Sequence, residues 1–278
     1  MTVSEKPYNM EKIFNGKAVY CPKGKASEYA KWACNLYNSC SGQCTYCYCK
    51  SLLRGIWSDV PTLKKSLVNE AVAMDIFKVE TKKNISELQK HGLHFNFVSD
   101  PFLKETIHLN IRAMVWCIHN DIPVKALTKQ TWWIDQYMKW IDYAGKIAFG
   151  FTLTDHDEME PGCAPNIKRV KAMQKIHDMG HLTWASIEPI IQLDSSLKMI
   201  RSTAGYCDLY KIGLKSGSHL CSAALDEFIN IVISENPYSK IYFKDSLLEQ
   251  AGIRRELLPA NNCVTRNYNI FNGTDNPD

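Results

Sequence analysis

The feature that most constrains the fold is an alternation of helical and strand-like segments from about residue 62 to residue 243. Each helical segment has apolar residues at a spacing of three or four and ends near Gly or Asn, and a short apolar run follows it. The predicted strands are Leu93–Val98, Pro123–Leu127, Lys146–Leu153, Leu182–Ile187, Asp208–Ile212 and Lys240–Phe243, with a first strand near Trp32–Leu36. The predicted helices are Thr62–Lys90, Leu103–His119, Trp133–Tyr143, Asn166–Met179, Ser195–Thr203 and Ser222–Ser234. This alternation predicts βαβ units and a parallel sheet, which fits a doubly wound sheet or a barrel.

Three cysteines, Cys40, Cys44 and Cys47, form a C-x3-C-x2-C motif on the loop after the first predicted strand. Three thiolates on one short loop can hold three irons of a [4Fe–4S] cube and leave the fourth iron open, whereas four-cysteine ligation is typical of electron carriers. Zinc is the alternative, with Cys34 or Cys49 as the fourth ligand, but no second C-x2-C pair at ribbon spacing follows. The ends of parallel strands are also where such folds place active sites.

Composition narrows the class of protein. The chain has 278 residues, 11 cysteines and a net charge of +4. Cysteines this dilute, in a chain that opens without an apolar leader, do not suit a secreted disulfide scaffold, and no stretch is apolar enough to span a bilayer. We therefore expect a soluble cytoplasmic protein with no membrane partner. Its mild basicity is compatible with a nucleic acid or another phosphorylated substrate.

Further short motifs follow successive predicted strands, and together with the cysteine motif they resemble the radical S-adenosylmethionine superfamily. The resemblance covers roughly residues 35–191 and is strongest to the branch that contains spore photoproduct lyase and its uncharacterised bacterial and phage relatives. The matching pieces are Asn35-x-Tyr37, the cysteine motif with Tyr46 and Tyr48, Ser99-Asp100-Pro101-Phe102, Thr128-Lys129, Phe151-Thr-Leu-Thr-Asp155, Glu160-Pro-x-x-Ala-Pro165 with Arg169, and Glu188-Pro-Ile-Ile191.

This resemblance implies a fold, a cofactor and a class of reaction. The fold would be an α/β partial (β/α)6 TIM-type barrel with parallel strands over residues 31–250, after an N-terminal extension over residues 1–30. A C-terminal tail over residues 251–278 would be poorly ordered at its end. S-adenosylmethionine would occupy the open iron of a [4Fe–4S] cluster and be cleaved reductively to a 5′-deoxyadenosyl radical, which abstracts hydrogen from an unknown substrate. Such a lyase or oxidoreductase needs a flavodoxin- or ferredoxin-type electron donor.

The resemblance also suggests which residues bind S-adenosylmethionine. Lys129 suits its carboxylate, because a cation can pair with it, although a solvated lysine is an equal alternative. Ser99 and Asp100 could receive its ammonium group. Thr152 and Thr154, two residues apart on one strand, would point the same way and could bond the ribose or carboxylate, or else face the core.

The aromatic and acidic residues of the motifs have open roles. Tyr46 and Tyr48 could pack on the adenine or fix the cysteine loop. Glu188 could contact the nucleoside or the substrate, and if it is buried it needs a partner. Arg169 follows Glu160 in helical register and could pair with it.

The chain departs from spore photoproduct lyase at one informative position. That enzyme has a hydrogen-donating cysteine just before the Ser-Asp pair of the second-strand loop, whereas this chain reads Phe95-Asn-Phe-Val-Ser-Asp100 there. Repair of spore photoproduct by that route is therefore not expected. Cys163, in the loop after a predicted strand, is the alternative candidate for a catalytic hydrogen-atom donor. No second tight motif predicts an auxiliary cluster.

Two questions stay open at the level of sequence. The first is the substrate, for which DNA or RNA is a candidate because bases can stack on the abundant aromatic residues while Lys and Arg meet phosphates. The second is whether the chain is an enzyme at all. The alternative is a non-catalytic zinc or iron–sulfur protein that acts as a nucleic-acid or protein binding module.

Overall fold

The structure is a computed structural model that describes residues 14–276. Its helices are α1 Cys49–Leu52, α2 Glu70–Lys83, α3 Ile85–His91, α4 Ile107–His119, α5 Ile134–Tyr137, α6 Asn166–Asp178, α7 Leu193–Arg201, α8 Ser222–Glu235 and α9 Asp245–Ala251. Its strands are β1 Val19–Tyr20, β2 Ala33–Cys34, β3 Tyr37–Asn38, β4 Thr62–Leu63, β5 Leu93–Phe95, β6 Val124–Thr128, β7 Ile147–Thr152, β8 Leu182–Ile190, β9 Leu209–Leu214, β10 Lys240–Phe243, β11 Tyr268–Asn269 and β12 Thr274–Asp275.

One eight-stranded sheet organises the fold, in the order β1-β2-β5-β6-β7-β8-β9-β10. Strand β1 runs antiparallel to β2, and every other neighbouring pair is parallel. The parallel strands follow one another in chain order with helices between them, so all their carboxyl ends lie at one edge. This arrangement confirms the predicted α/β partial barrel, and each of the seven predicted strands has a counterpart.

Two predicted helices are shorter than expected. The segment predicted as one helix from residue 62 to residue 90 begins instead with β4, and Asn69 then starts α2 by accepting a hydrogen bond from the backbone N–H of Val72 (3.0 Å). Asn84 separates α2 from α3. The helix predicted over residues 133–143 is reduced to α5 and a 3-10 turn at Met138–Trp140.

The two faces of the sheet bury different clusters. Successive residues of a strand point to opposite faces, so Phe149 and Ala185 pack among the surrounding helices while Ala148 and Trp184 face the inside of the barrel. Gly150 makes room for the indole ring of Trp184, since a Cβ there would lie 2.2 Å from a ring carbon. The inside of the barrel is thus filled by side chains below the level of the strand ends.

Both terminal segments attach to this barrel. The carboxylate of Glu80 accepts hydrogen bonds from backbone N–H groups at residues 17–19 (2.6–2.9 Å), which fixes the chain entering β1 against α2. Val264 and Ile270 of the C-terminal tail pack on the inner cluster. The Asn269 amide donates to the carbonyl of Lys90 (3.0 Å). The predicted boundaries of extension, core and tail stay predictions, and residues 1–13 and 277–278 lie outside the described residues.

Across residues 14–276, none of the helices combines the length and the apolar character that crossing a membrane requires.

Candidate functional site

A cavity of about 340 Å³ opens at the carboxyl ends of the parallel strands. The loops after β2, β5, β6, β7 and β9 and the last residues of β8 contribute to its walls, because the parallel strands end at the same edge of the sheet. Eleven of the twelve predicted site residues line it: Cys40, Cys44, Tyr46, Cys47, Tyr48, Ser99, Asp100, Lys129, Thr152, Cys163 and Glu188. The structure therefore brings these residues together, while their individual roles stay predictions.

Thr154 is the predicted residue that does not line the cavity. Strand β7 ends at Thr152, so the alternation that would have aimed both threonines the same way stops there. The backbone N–H of Thr154 donates to Asn166 Oδ1 (2.9 Å), and its hydroxyl accepts from the N–H of His156 (3.3 Å). Thr154 is therefore bonded at the start of α6 rather than directed into the cavity.

The cysteine loop is held against the loop that follows β7. The N–H of Gly162 donates to the carbonyl of Gly42 (3.1 Å), and the N–H of Thr45 donates to the carbonyl of Met159 (2.9 Å). A Cβ at Gly162 would lie 2.1 Å from the carbonyl oxygen of Ser41, so only glycine permits this approach. The close packing explains how Cys163, which is distant in sequence, reaches the motif.

The three motif sulfurs differ in their surroundings. A hydrogen bond with the Cys163 thiol lowers the pKa of Cys44 to about 7, and one with the Cys49 thiol lowers the pKa of Cys47 to about 6. Burial raises the pKa of Cys40 to about 12, and the nearby charge of Asp100 adds to the rise. Hydrogen-bond donors and the cation of Lys129 thus favour thiolates at two of the three positions.

The donor set suits an iron–sulfur cluster. Among residues 14–276, no three His, Cys, Asp or Glu side chains converge closely enough to chelate one metal ion. A [4Fe–4S] cube instead binds each thiolate at a separate iron, so its ligands surround it rather than meet at a point. Three thiols on one wall of a cavity that also holds a lysine fit that requirement in chemistry and number.

Asp100 holds the loop after β6 in position. Its carboxylate accepts hydrogen bonds from the hydroxyl of Thr128 (2.7 and 2.9 Å), from the N–H of Lys129 (2.8 Å) and from the N–H of Phe102 (2.9 Å). Burial raises the pKa of Asp100, and these hydrogen bonds oppose the rise. Because its lone pairs are engaged, Asp100 has little capacity left for the predicted contact with an ammonium group.

Lys129 lies close to the cysteine motif. Its Nζ is 5.5 Å from the centre of the Tyr46 ring. Burial alone would lower the pKa of Lys129, but Tyr46, Cys44 and Glu160 together raise it well above its ordinary value. The side chain is therefore a cation directed at the site, which fits the binding of a carboxylate better than the solvated alternative.

Two buried polar atoms of the loop after β5 line the cavity and have no partner within residues 14–276. They are the hydroxyl of Ser99 and the carbonyl oxygen Oδ1 of Asn96. A buried polar atom without a hydrogen bond is costly, so both atoms are suited to meet a bound molecule. Asn96 was not predicted, although its place at the end of β5, three residues before Ser99, could have indicated it.

A buried ion pair supports the cysteine loop through its contact with Tyr46. The guanidinium of Arg169 contacts the carboxylate of Glu160, and both side chains are fully buried. Arg169 also donates to the carbonyls of Ala164 (2.6 Å) and Thr152 (2.7 Å), and the hydroxyl of Tyr46 donates to Glu160. The predicted Glu160–Arg169 pair is thus confirmed, and it ties Tyr46 to the loop after β7.

The opposite wall of the cavity is built around Glu188. Its carboxylate accepts from Lys244 Nζ (3.0 Å to each oxygen) and from the hydroxyl of Tyr29 (2.6 Å), while the hydroxyl of Ser186 lies 2.7 Å from that of Tyr29. Burial, and then the charge of Glu188, raises the pKa of Tyr29 well above its ordinary value, so the phenol keeps its proton. Tyr29 and Lys244 were not predicted, and they supply the partners of the half-buried Glu188 carboxylate.

Solved structures with the same architecture are known. One is spore photoproduct lyase complexed with dinucleoside spore photoproduct, with a TM-score of 0.60 and 17% identity over 77% of each chain. The chain has the fold of spore photoproduct lyase. A mutant of that enzyme with bound S-adenosylmethionine and dinucleoside spore photoproduct gives a TM-score of 0.56 at 18% identity, over 76% of this chain and 62% of the solved chain. This chain therefore spans less than two thirds of that protein.

A second solved structure shares the architecture at lower sequence identity. SuiB from Streptococcus suis, bound to S-adenosylmethionine, gives a TM-score of 0.57 and 9% identity over 82% of this chain and 53% of its own. No protein-family model matches the chain, and no curated protein matches it in sequence. At these identities the likeness to spore photoproduct lyase and SuiB concerns the fold.

Proposed function

We propose that the chain is a radical S-adenosylmethionine enzyme that binds a [4Fe–4S] cluster through Cys40, Cys44 and Cys47. When bound, the cluster and S-adenosylmethionine supply reductive cleavage of the sulfonium C–S bond to a 5′-deoxyadenosyl radical, which abstracts hydrogen from a substrate. The observation that carries the proposal is the lining of one cavity by three motif thiols, the Lys129 cation and the unpaired hydroxyl of Ser99. The fold shared with spore photoproduct lyase and SuiB supports it.

The residues that line the cavity beside the cysteine motif would bind the amino-acid part of S-adenosylmethionine. Lys129 would pair with its carboxylate, because a charge-assisted contact is strong where water is excluded. Ser99 and Asn96 would meet polar groups of the ligand, since their buried atoms are otherwise unpaired. Asp100 acts through Lys129 by fixing its backbone N–H (2.8 Å).

The remaining lining residues would orient the nucleoside and the substrate. Tyr48 is half exposed at the rim, and its hydroxyl donates to the carbonyl of Phe97 (3.2 Å), so its ring offers a face for stacking. Thr152 and Glu188 present hydrogen-bonding groups from β7 and β8. Lys244 holds the carboxylate of Glu188 in place (3.0 Å), which preserves an acceptor at that wall.

The test begins with anaerobic reconstitution using iron and sulfide, followed by reduction, addition of S-adenosylmethionine and chromatography for 5′-deoxyadenosine. The wild-type chain should bind four irons and four sulfides per cluster and release 5′-deoxyadenosine. Cys44→Ala should lose both properties, whereas Cys221→Ala, an exposed cysteine outside the cavity, should keep them. Cleavage of S-adenosylmethionine by the Cys44→Ala protein would refute the proposal.

A nucleic acid is the substrate class that the rim of the cavity favours. Lys25 and Lys215 are exposed at the rim, and Tyr48 presents its ring there. Cations that meet phosphates beside an aromatic ring are typical of single-strand recognition. Oligonucleotide binding should therefore weaken as salt rises, and the Lys25→Gln/Lys215→Gln variant should show a shallower salt dependence. No binding at low salt would exclude this substrate class.

Metal analysis distinguishes the enzyme from the non-catalytic alternative, which is a zinc or iron–sulfur binding module. Zinc without iron or sulfide in protein purified without oxygen would favour the binding module. A flavodoxin- or ferredoxin-type protein is the proposed electron donor, and it should replace a chemical reductant in the cleavage assay.

A further inference from the structure

Each motif sulfur has a hydrogen-bond donor, but the donors are of two kinds. Cys40 accepts from the backbone N–H of Gly42 (3.3 Å), and Cys47 accepts from the thiol of Cys49 and from the backbone N–H groups of Cys49 and Lys50. These donors belong to the motif loop itself. The sulfur of Cys44 instead contacts the thiol of Cys163, at an Sγ–Sγ distance of 3.8 Å.

The two sulfurs can share a hydrogen bond in only one direction once Cys44 is a thiolate ligand. A thiolate has no proton to give, so the Cys163 thiol must be the donor. The carbonyl of Gly42 is also within reach of Cys163 (3.5 Å), but an ionised acceptor forms the stronger hydrogen bond.

The packing of the two loops holds this contact in place. Gly162, next to Cys163, lies against the backbone at Ser41 and Gly42. A Cβ built on Gly42 would stand 3.1 Å from the Cys163 sulfur and 3.3 Å from the Cys40 sulfur, so the space around the thiol is closed on that side. The thiol is thus confined beside one motif sulfur by the chain around it.

We infer that Cys163 donates a hydrogen bond to the Cys44 thiolate and thereby raises the reduction potential of the cluster. This inference rests on the proposed function. Reduction adds negative charge to the cluster and its thiolates, so a donor to a ligand sulfur stabilises the reduced state more than the oxidised state. Cys163 is in this sense a positioning residue, and it makes the one-electron reduction that precedes cleavage easier.

The experiment compares four proteins: wild type, Cys163→Ala, Cys163→Ser and the control Cys221→Ala. Each is reconstituted anaerobically, its iron and sulfide are counted, and its midpoint potential is measured by redox titration followed by electron paramagnetic resonance without S-adenosylmethionine. The Cys163→Ala protein should assemble the cluster, yet at a fixed potential its ratio of reduced to oxidised cluster should fall about tenfold, which equals 59 mV for one electron. The control should match the wild type.

The serine variant distinguishes a hydrogen bond from general packing. A hydroxyl also donates, so Cys163→Ser should have a potential between those of the wild type and Cys163→Ala. A Cys163→Ala potential equal to or above the wild-type value would overturn the inference, and so would a serine variant with a potential below that of the alanine variant.

A further measurement tests whether Cys163 is instead the fourth ligand of the cluster. If Cys163 occupied the open iron, S-adenosylmethionine would alter the resonance spectrum of Cys163→Ala but not that of the wild type, and the inference would fail. With the inferred role, S-adenosylmethionine should alter both spectra. Failure of the wild-type chain to assemble any cluster would refute the proposed function itself, which is a separate result from an unchanged potential.

Discussion

Replacement of Arg169 by Met tests the buried ion pair that supports the cysteine loop. The substitution keeps an unbranched apolar stem but removes the cation that faces Glu160, with both side chains fully buried in the native protein. It also removes the donors to the carbonyls of Ala164 (2.6 Å) and Thr152 (2.7 Å). Glu160 would then be a buried carboxylate whose remaining side-chain donor is Tyr46.

The expected loss is large because an unpaired buried charge is the dominant cost. Breaking a buried pair by removing one partner costs about 3–5 kcal/mol. The total free energy of unfolding of a typical domain is about 5–15 kcal/mol, so about a fifth or more of it would be lost. For a chain of this size, a change of about 1 kcal/mol shifts the Tm by roughly 2–4 °C, and the Arg169→Met protein should melt roughly 6–20 °C below the wild type.

Urea denaturation of the metal-free protein, followed by circular dichroism, measures this loss without the linkage that a bound cluster would add. Lys175→Met is the matched control, because Lys175 lies on the same helix, α6, and pairs with Asp135 (2.6 Å) in an exposed position. An exposed pair contributes about 0–1 kcal/mol. Removing both buried charges in Glu160→Gln/Arg169→Met should restore part of the stability. The reasoning is refuted if Arg169→Met is no less stable than Lys175→Met.

Three further predictions address the cavity and His91 at the end of α3. Lys129→Met should raise the Kd for S-adenosylmethionine about 10- to 100-fold, because a hydrogen bond to a charged group contributes about 1.5–3 kcal/mol. Calorimetry on the reconstituted protein measures this Kd, and an unchanged value would contradict the role of Lys129. Tyr29→Phe should lower the free energy of unfolding in urea by about 1–3 kcal/mol, because Glu188 loses a donor and Ser186 is left with an unpaired hydroxyl. An unchanged urea midpoint would count against a stabilising role of the Tyr29 hydroxyl. Burial lowers the pKa of His91 to about 4, below its ordinary value of 6.5, so the folded chain binds fewer protons there than the unfolded chain. Stability should therefore fall as pH falls from about 6.5 to about 4, and His91→Gln should reduce that slope in urea titrations; an equal slope in both proteins would argue against it.

The sequence was sufficient for the strands and for most of the cavity. Apolar runs that follow helical segments located every parallel strand, because burial on both faces demands that pattern. Once the strands are parallel, residues at or just beyond their carboxyl ends must meet at one edge, which is why Ser99, Lys129 and Glu188 lie around one cavity. The prediction failed for Thr154, where it extended the strand alternation past the end of β7 at Thr152.

The local sequence pattern could not reveal the partners of Glu188, because they come from remote parts of the chain. Tyr29 meets Glu188 across 159 positions of sequence, and Lys244 meets it across 56. Tyr29 belongs to no motif, and Lys244, although it directly follows β10, is an ordinary residue type for a surface. What the sequence could state was a conditional requirement, since a carboxylate at the end of β8 needs a donor or a cation beside it to the extent that it is removed from water.

That requirement also explains why the N-terminal segment matters to the site. The side chain of Lys244 is almost fully buried, with 3% of its surface exposed. Its Nζ lies 3.0 Å from a carboxylate oxygen of Glu188 and 3.9 Å from one of Glu28. Glu28 in turn accepts from the hydroxyl of Tyr242 (2.9 Å), a residue of β10. Two carboxylates from distant segments thus face one buried ammonium group, and removing the ammonium group would leave both of them without this cation. The residues just before the first parallel strand are therefore part of the wall that faces the cysteine motif, and the shape of that wall depends on segments far outside the motif.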